Sequence, residues 1–169
     1  DEAADEVERI GIARSWAAQW VQCSDLGLPA KLAALRRFAA DAHFGVREVA
    51  WMALRDEVVG DAQAAIDALA PWALDADPNL RRFASEATRP RGVWCAQVPL
   101  LKAEPWRALP LLEPLKADDS RYVRNSVANW LNDASKSQPQ WVAQVCERWE
   151  AESPLPATRV AGTPLSVAS

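Results

Sequence analysis

Glycine, histidine and cysteine are scarce in this chain of 169 residues, and each shortage argues against a class of protein. Six glycines and few β-branched runs favour helices over sheets. Cys23, Cys95 and Cys146 lie far apart and form no CxxC pair, so neither a zinc site nor a disulfide framework is expected. His43 is the only histidine, which removes Ser-His-Asp and Cys-His catalysis as leading options and favours a capping or packing role.

Several sequence signals are also missing. There is no phosphate-binding loop, no metal-ligand spacing and no apolar run of membrane-spanning length, so we expect no cofactor, no metal and no membrane partner. The acidic N-terminus does not resemble a signal peptide, and scattered cysteines fit a reducing cytoplasm. The net charge of −4 argues against a uniformly basic nucleic-acid binder, but it leaves a local basic face open.

Apolar residues recur with helical periodicity along most of the chain, and Pro, Gly and Ser separate the periodic segments. The short separations between segments predict antiparallel neighbours. The predicted helices cover residues 2–23, 29–40, 44–59, 61–73, 78–89, 94–103, 106–117, 120–133 and 138–151.

Three of these segments are similar to one another: residues 41–54, 75–88 and 118–131. Each begins with Asp and a turn, continues with an aliphatic residue followed by Arg, and then places small or apolar residues four and seven positions later. The aliphatic positions are 34 and 43 residues apart, a spacing typical of HEAT-like helical pairs. The aliphatic–Arg pairs are Val46-Arg47, Leu80-Arg81 and Val123-Arg124.

These repeats predict an all-α protein that forms a curved α-α superhelix, or solenoid, with one concave face. We expect a single HEAT-like repeat domain over residues 1–159, with its last repeat incomplete. Residues 160–169 lose the periodicity, and we expect a disordered or foreign tail there.

Three acids on the repeat helices are candidate site residues. Glu86 has Arg82 four residues before it and Arg89 three residues after it, which fits either an ordinary salt-bridged acid or a site residue. Asp133 lies near a predicted helix C-terminus, where the helix dipole disfavours an anion by about 0.3–1 kcal/mol. A cap through Ser135, a pair with Lys136 or a functional site would each account for it.

Glu48 is the third candidate acid, and Trp51 lies one helical turn further along the same face. A carboxylate beside an indole suits a cation site, because both attract positive charge. The alternative is a core Trp51 with Glu48 in water. Trp94 and Trp130 stand out among the nine tryptophans because they flank Glu86 and Asp133 in the sequence.

Positive charge collects around the repeats, which allows either a groove for a phosphodiester backbone or a solvated surface with interleaved acids. The residues concerned are Arg47, Arg81, Arg82, Arg89, Arg91, Arg121, Arg124 and Lys136.

Three segments resemble one protein family. HFGVREVAWMAL (43–54), ASEATRPRGVW (84–94) and LPLLEPLKADDSRYVRNSVANWLNDASK (109–136) are similar to the AlkC-type branch of the AlkC/AlkD superfamily of HEAT-like repeat DNA alkylation repair proteins. The resemblance covers residues 25–159. It implies a monofunctional DNA glycosylase that excises cationic N-alkylated bases, notably 3-methyladenine and in some members 7-methylguanine, from duplex DNA on its concave face without full base flipping.

The resemblance also implies roles for individual residues. Glu86 and Asp133 match the active-site acids of the family, and Glu48 matches a further acid more loosely. Arg89 and Arg91 match an RPR motif that contacts the DNA backbone near the lesion. With these we group, as further DNA-binding candidates, Arg82, Arg124, Lys136, Trp94, Trp130 and Trp51.

In the implied mechanism, carboxylates stabilise positive charge on the sugar and position water, so no metal is needed. The implied partner is alkylated double-stranded DNA, and we expect a monomer. The chain departs from the family pattern at Ala87, where Gly is common, at EVAWMAL (48–54), and after Arg159. Two alternatives to a glycosylase are a non-catalytic scaffold for DNA or protein and a peptide-binding adaptor.

Overall fold

The computed structural model describes residues 5–12 and 26–153, and within them the regular secondary structure is entirely helical. Residues 5–12 are helical, and short 3-10 helices cover Trp72–Leu74, Pro105–Ala108 and Glu113–Leu115. In chain order the remaining α-helices are α1 (Leu28–Ala39), α2 (Phe44–Ala53), α3 (Arg55–Gly60), α4 (Ala62–Leu69), α5 (Pro78–Ala87), α6 (Pro99–Ala103), α7 (Leu109–Leu112), α8 (Arg121–Ser135) and α9 (Pro139–Glu152).

The helices of successive repeats pack side by side, as a helical solenoid requires. Helix α2 packs against α5, α5 packs most extensively against α8, and α8 packs against α9. Small residues permit the close approach of α5 and α8, because Ser126 Oγ lies 2.9 Å from Ser85 Oγ and both side chains are buried. The predicted all-α repeat architecture is therefore confirmed for the described residues.

Each repeat begins with the same turn. The Asp side chain accepts a hydrogen bond from the amide two residues later, at 2.7–2.9 Å. The Arg six residues after that Asp donates through Nη1 to the carbonyl oxygens of the Asp and of its successor. We call this unit the Asp–Arg clamp; its three copies are Asp41 with Arg47, Asp75 with Arg81, and Asp118 with Arg124.

The clamp gives a physical reason for the repeated Asp and Arg. A guanidinium that bonds two carbonyl oxygens satisfies backbone acceptors that the turn leaves without partners. His43 also has the predicted capping role, because its Nδ1 accepts a hydrogen bond from the Gly45 amide at 3.2 Å.

Four predicted helices differ from the observed ones. The segment 61–73 is α-helical only as far as Leu69, and Trp72–Leu74 is a 3-10 helix. The segment 44–59 is divided at Leu54 into α2 and α3. The segment 94–103 begins only at Pro99, because the preceding residues form a loop in which the Val98 amide bonds to the Pro90 carbonyl at 3.0 Å. The segment 106–117 contains two 3-10 helices and a four-residue α-helix, since prolines at 105, 110 and 114 lack the amide hydrogen that a continuous helix needs.

The predicted N-terminal helix (2–23) is helical over residues 5–12, and its other residues lie outside the described part of the chain. Residues 154–169 also lie outside it, so the end of the domain at 159 and the tail 160–169 remain predictions. Among the described residues, no helix is both long enough and apolar enough to cross a membrane.

Candidate functional site

Two acids from different repeats are buried close to one arginine. Glu86, in the last turn of α5, is 2% exposed, and Asp133, near the end of α8, is 3% exposed. Arg89 follows α5 and connects them: its Nε lies 2.9 Å from Asp133 Oδ2 and its Nη1 lies 3.2 Å from Glu86 Oε2. We call these three side chains the acid–arginine cluster.

Burial alone would lower the pKa of the Arg89 guanidinium. The negative charges of Glu86 and Asp133 outweigh burial and raise the pKa above its ordinary value. Arg89 therefore stays charged and holds both carboxylates in place.

A second arginine lies on the other side of Glu86. Arg82 Nη2 is 3.0 Å from Glu86 Oε1 and 4.0 Å from Glu48 Oε1. The shorter contact is an ion pair without hydrogen-bond alignment, since the buried Glu86 Oε1 accepts no hydrogen bond from the described residues. The charge of Arg82 compensates this buried oxygen, and its lone pairs stay open to an aligned donor.

Glu48 and Trp51 form one unit. Trp51 Nε1 donates to Glu48 Oε2 at 2.9 Å, and the Trp51 ring belongs to the core. The core interpretation of Trp51 is thus correct, while Glu48 is bound to the indole rather than free in water. Both residues line a small recess together with Arg82, Glu86 and Tyr122. Its cavity volume is about 10 Å³, which is room for about one water molecule.

Sequence reasoning missed Arg55, which holds the backbone around Arg89 in place. This buried residue donates from Nε to Ala96 O at 2.7 Å, from Nη1 to Ala87 O at 2.9 Å and from Nη2 to Arg89 O at 2.6 Å. Burial lowers the pKa of its guanidinium. The available signal was its position four residues after Trp51 on the apolar stripe, where a charged residue needs buried partners.

Arg55 fixes the loop of residues 88–98, which presents Trp94 to solvent. Trp94 is 96% exposed, and its φ of 62° is the only positive value for a non-glycine among the described residues. The loop is tightly packed at Gly92, where a Cβ would lie 2.1 Å from Cys95 Sγ. The partly buried Cys95 thiol has its pKa raised, above all by desolvation.

Two other candidate DNA-binding residues lie near the cluster. Arg91 donates from Nη2 to Ser137 Oγ at 2.7 Å. Lys136 has a side chain that is 53% exposed, with its Nζ 3.4 Å from Asp133 Oδ1. The pair with Lys136 expected for Asp133 is therefore present, whereas Ser135 Oγ bonds to the Asn132 carbonyl instead of to Asp133.

One candidate needs correction. Trp130 is 0% exposed and donates from Nε1 to the Thr88 carbonyl at 3.1 Å, so it packs beneath the cluster and offers no surface to DNA. Arg124 belongs to the third Asp–Arg clamp, which engages its Nη1 with two backbone carbonyls, and its contact with DNA stays a prediction. Among the described residues, no group of three or more His, Cys, Asp or Glu side chains is arranged to hold a metal ion.

The fold and the site define a helical repeat protein with a buried acid–arginine cluster between two repeats. No protein-family model matches the chain. Among solved structures, it is similar to Pseudomonas fluorescens alkylpurine DNA glycosylase AlkC bound to DNA containing an abasic site analog. The identity is 33% and the TM-score 0.65, over 76% of this chain and 36% of that one.

Among curated proteins, the chain is similar to the uncharacterized protein YhaZ of Bacillus subtilis (strain 168). The two are 41% identical over 102 residues, which cover 60% of this chain and 29% of YhaZ. The chain thus spans about a third of the length of both relatives. The described residues have an AlkC-like helical repeat fold.

Proposed function

We propose that the chain is an AlkC-type DNA glycosylase that excises cationic N-alkylated bases, such as 3-methyladenine and 7-methylguanine, from duplex DNA. The observation that carries this proposal is the acid–arginine cluster: two buried carboxylates from different repeats converge on Arg89. The likeness to the glycosylase AlkC, at 33% identity, supports the same reading.

The reaction needs a negatively charged carboxylate rather than a general acid that donates a proton. An N-alkylated purine already carries positive charge, so its N-glycosidic bond is weak and the base leaves with the bonding electron pair. Positive charge then develops on the deoxyribose, where a nearby carboxylate stabilises it. Water adds at C1′ and gives its proton to a carboxylate, which leaves an abasic site and a neutral free base.

The recess beside Glu86 supports separate roles for the carboxylates. Glu86 Oε1 lacks a hydrogen-bond donor and lines a cavity with room for about one water molecule. We assign Glu86 to the water and to the developing charge, Asp133 to the charge, and Glu48 to the far wall of the recess. The recess has room for about one water molecule and none for a purine, which supports catalysis without full base flipping.

Three neighbours of the cluster supply the DNA contacts in this proposal: Lys136 and Trp94, which are exposed, and Arg91, which is half-buried. Lys136 and Arg91 contact phosphates, and Trp94 contacts bases or sugar. Arg82 and Arg89 hold the carboxylates of Glu86 and Asp133 inside the site, and Trp51 holds that of Glu48. A monomeric, cytoplasmic protein remains our prediction.

The test is release of free base from N-methylated duplex DNA, identified by chromatography and mass spectrometry. Glu86→Gln and Asp133→Asn should lose release at least about 100-fold, the scale set by removing one preorganised electrostatic stabiliser. Glu57→Gln is a matched control, because Glu57 also forms an ion pair, with Lys31, and has a buried oxygen without a partner. If both site variants release base at the wild-type rate, the assignment of Glu86 and Asp133 as catalytic residues is refuted.

A non-catalytic scaffold is the second candidate, favoured by one observation: Glu86 and Asp133 both already have arginine partners, as structural acids do. A scaffold would form no abasic sites on any alkylated duplex. It would either bind DNA with an affinity that falls steeply with salt or not bind it at all.

A further inference from the structure

Tyr122, the only tyrosine of the chain, connects the first repeat to the acid site. It lies in the first turn of α8, and its ring stacks on the Arg82 guanidinium, with Arg82 Cζ 4.0 Å from the ring centroid. Its carbonyl oxygen accepts a hydrogen bond from Arg82 Nη1 at 2.7 Å. Ring and carbonyl thus hold the same guanidinium from two directions.

Arg47 fixes the tyrosine in turn. Its Nε donates to the Tyr122 hydroxyl at 3.1 Å, and its Cζ lies 5.0 Å from the ring centroid. Arg47 itself is immobilised by the first Asp–Arg clamp. The arrangement runs from a turn of the first repeat, through Tyr122, to Arg82 and the acids.

The consequence concerns Glu86 Oε1, which has the charge of Arg82 beside it but no aligned hydrogen-bond donor. With Nη1 bonded to Tyr122, Arg82 presents Nη2 to Glu86 and Glu48 as an ion-pair partner that gives Oε1 no aligned hydrogen bond. An unrestrained arginine would rotate to donate to that oxygen or would move into solvent, because its side chain has many rotamers. Either movement would change the charge or the hydrogen bonding of Glu86.

We propose that Tyr122 is a positioning residue: it holds Arg82 between Glu48 and Glu86, so that Glu86 Oε1 keeps its compensating charge and stays open to the reacting water. This inference rests on the proposed glycosylase function. Tyr122 touches Arg82 and Arg47, and it acts on the carboxylates through Arg82 alone.

The first arm of the test is kinetic. Tyr122→Leu should lower the single-turnover rate of base release about tenfold, the scale of one lost cation–π contact. Its affinity for an uncleavable abasic-analogue duplex should stay within about twofold. Tyr122→Phe retains the ring and the carbonyl and should stay within about threefold of wild type. Phe38→Leu is the control, since it removes the aromatic partner of Arg37, at 4.6 Å, outside the site.

The second arm needs no activity. The Nε–H resonance of Arg82 should carry the ring-current shift of a stacked guanidinium in wild type and Tyr122→Phe, and lose it in Tyr122→Leu. If Tyr122→Leu does not fold, Tyr122→Met, which fills more of the volume, takes its place in both arms.

The outcomes are distinguishable. A wild-type protein that releases no base overturns the proposed function and the catalytic half of this inference together. An Arg82 resonance unmoved in Tyr122→Leu overturns the positioning half, whether or not base is released. A Phe variant as slow as the Leu variant, or a loss of rate matched by a loss of DNA affinity, refutes the role of the ring.

Discussion

Arg55→Met is the most informative stability experiment, because one side chain supports both the end of α5 and the loop of residues 88–98. The substitution removes three hydrogen bonds from a charged donor to the carbonyls of Ala87, Arg89 and Ala96. Truncating one such bond costs about 1.5–3 kcal/mol, and the effects do not add fully because loop carbonyls regain water. We therefore expect a loss of about 3 kcal/mol in the free energy of unfolding.

For a domain of this size, that loss lowers the melting temperature by about 6–12 °C. Thermal unfolding followed by circular dichroism measures the shift. Hydrogen exchange should show faster opening of the amides of residues 89–98. Arg36→Met is the control, since the Arg36 side chain that pairs with Asp75 is half exposed and the pair should contribute about 1 kcal/mol or less. Arg55→Lys should be intermediate, because an ammonium group does not span three carbonyls.

The reasoning is refuted if Arg55→Met melts within about 2 °C of wild type and exchange in the loop is unchanged. That result would mean that the loop is held by its own packing around Gly92 and Cys95. A large loss of stability with unchanged loop exchange would instead confine the role of Arg55 to the end of α5.

Two further predictions concern the loop and the helix α9. Trp94→Gly should keep the melting temperature within about 2 °C, because an almost fully exposed ring at positive φ contributes little packing. The same substitution should weaken duplex binding by about 1–3 kcal/mol. Unchanged affinity in a DNA titration would show that Trp94 does not contact the duplex. Burial raises the pKa of the Cys146 thiol to about 11, so the folded state retains a proton that the unfolded state releases above pH 9. Stability should therefore fall between pH 9 and about 11, and Cys146→Ala should remove that component in denaturant titrations.

The fold could be predicted because its determinants are local. Each Asp–Arg clamp lies within seven residues of sequence, and the helical periodicity needs only neighbouring positions. The start of α6 could not be predicted in the same way. The apolar pattern extends back to Trp94, but the backbone there is set by Pro90, by the contact of Gly92 with Cys95 and by Arg55 far away in the sequence.

The site was predictable in part. The motif resemblance selected Glu86, Asp133 and Arg89, which lie together in the structure. It did not distinguish Trp130 from Trp94, because both flank the acids in sequence and only the packing of α8 decides which ring is buried. Tyr122 and Arg55 were missed because their partners lie 32 or more residues away, a distance that no periodicity detects.

The unequal spacing of the repeats has a consequence for how this protein can change. The clamps keep the same six-residue geometry, yet the interval between the second and third repeats is the longer one, and the loop of residues 88–98 lies within it. Variation in that loop therefore leaves the turns on either side intact. The repeating scaffold and the segment that presents Trp94 can therefore change independently of each other.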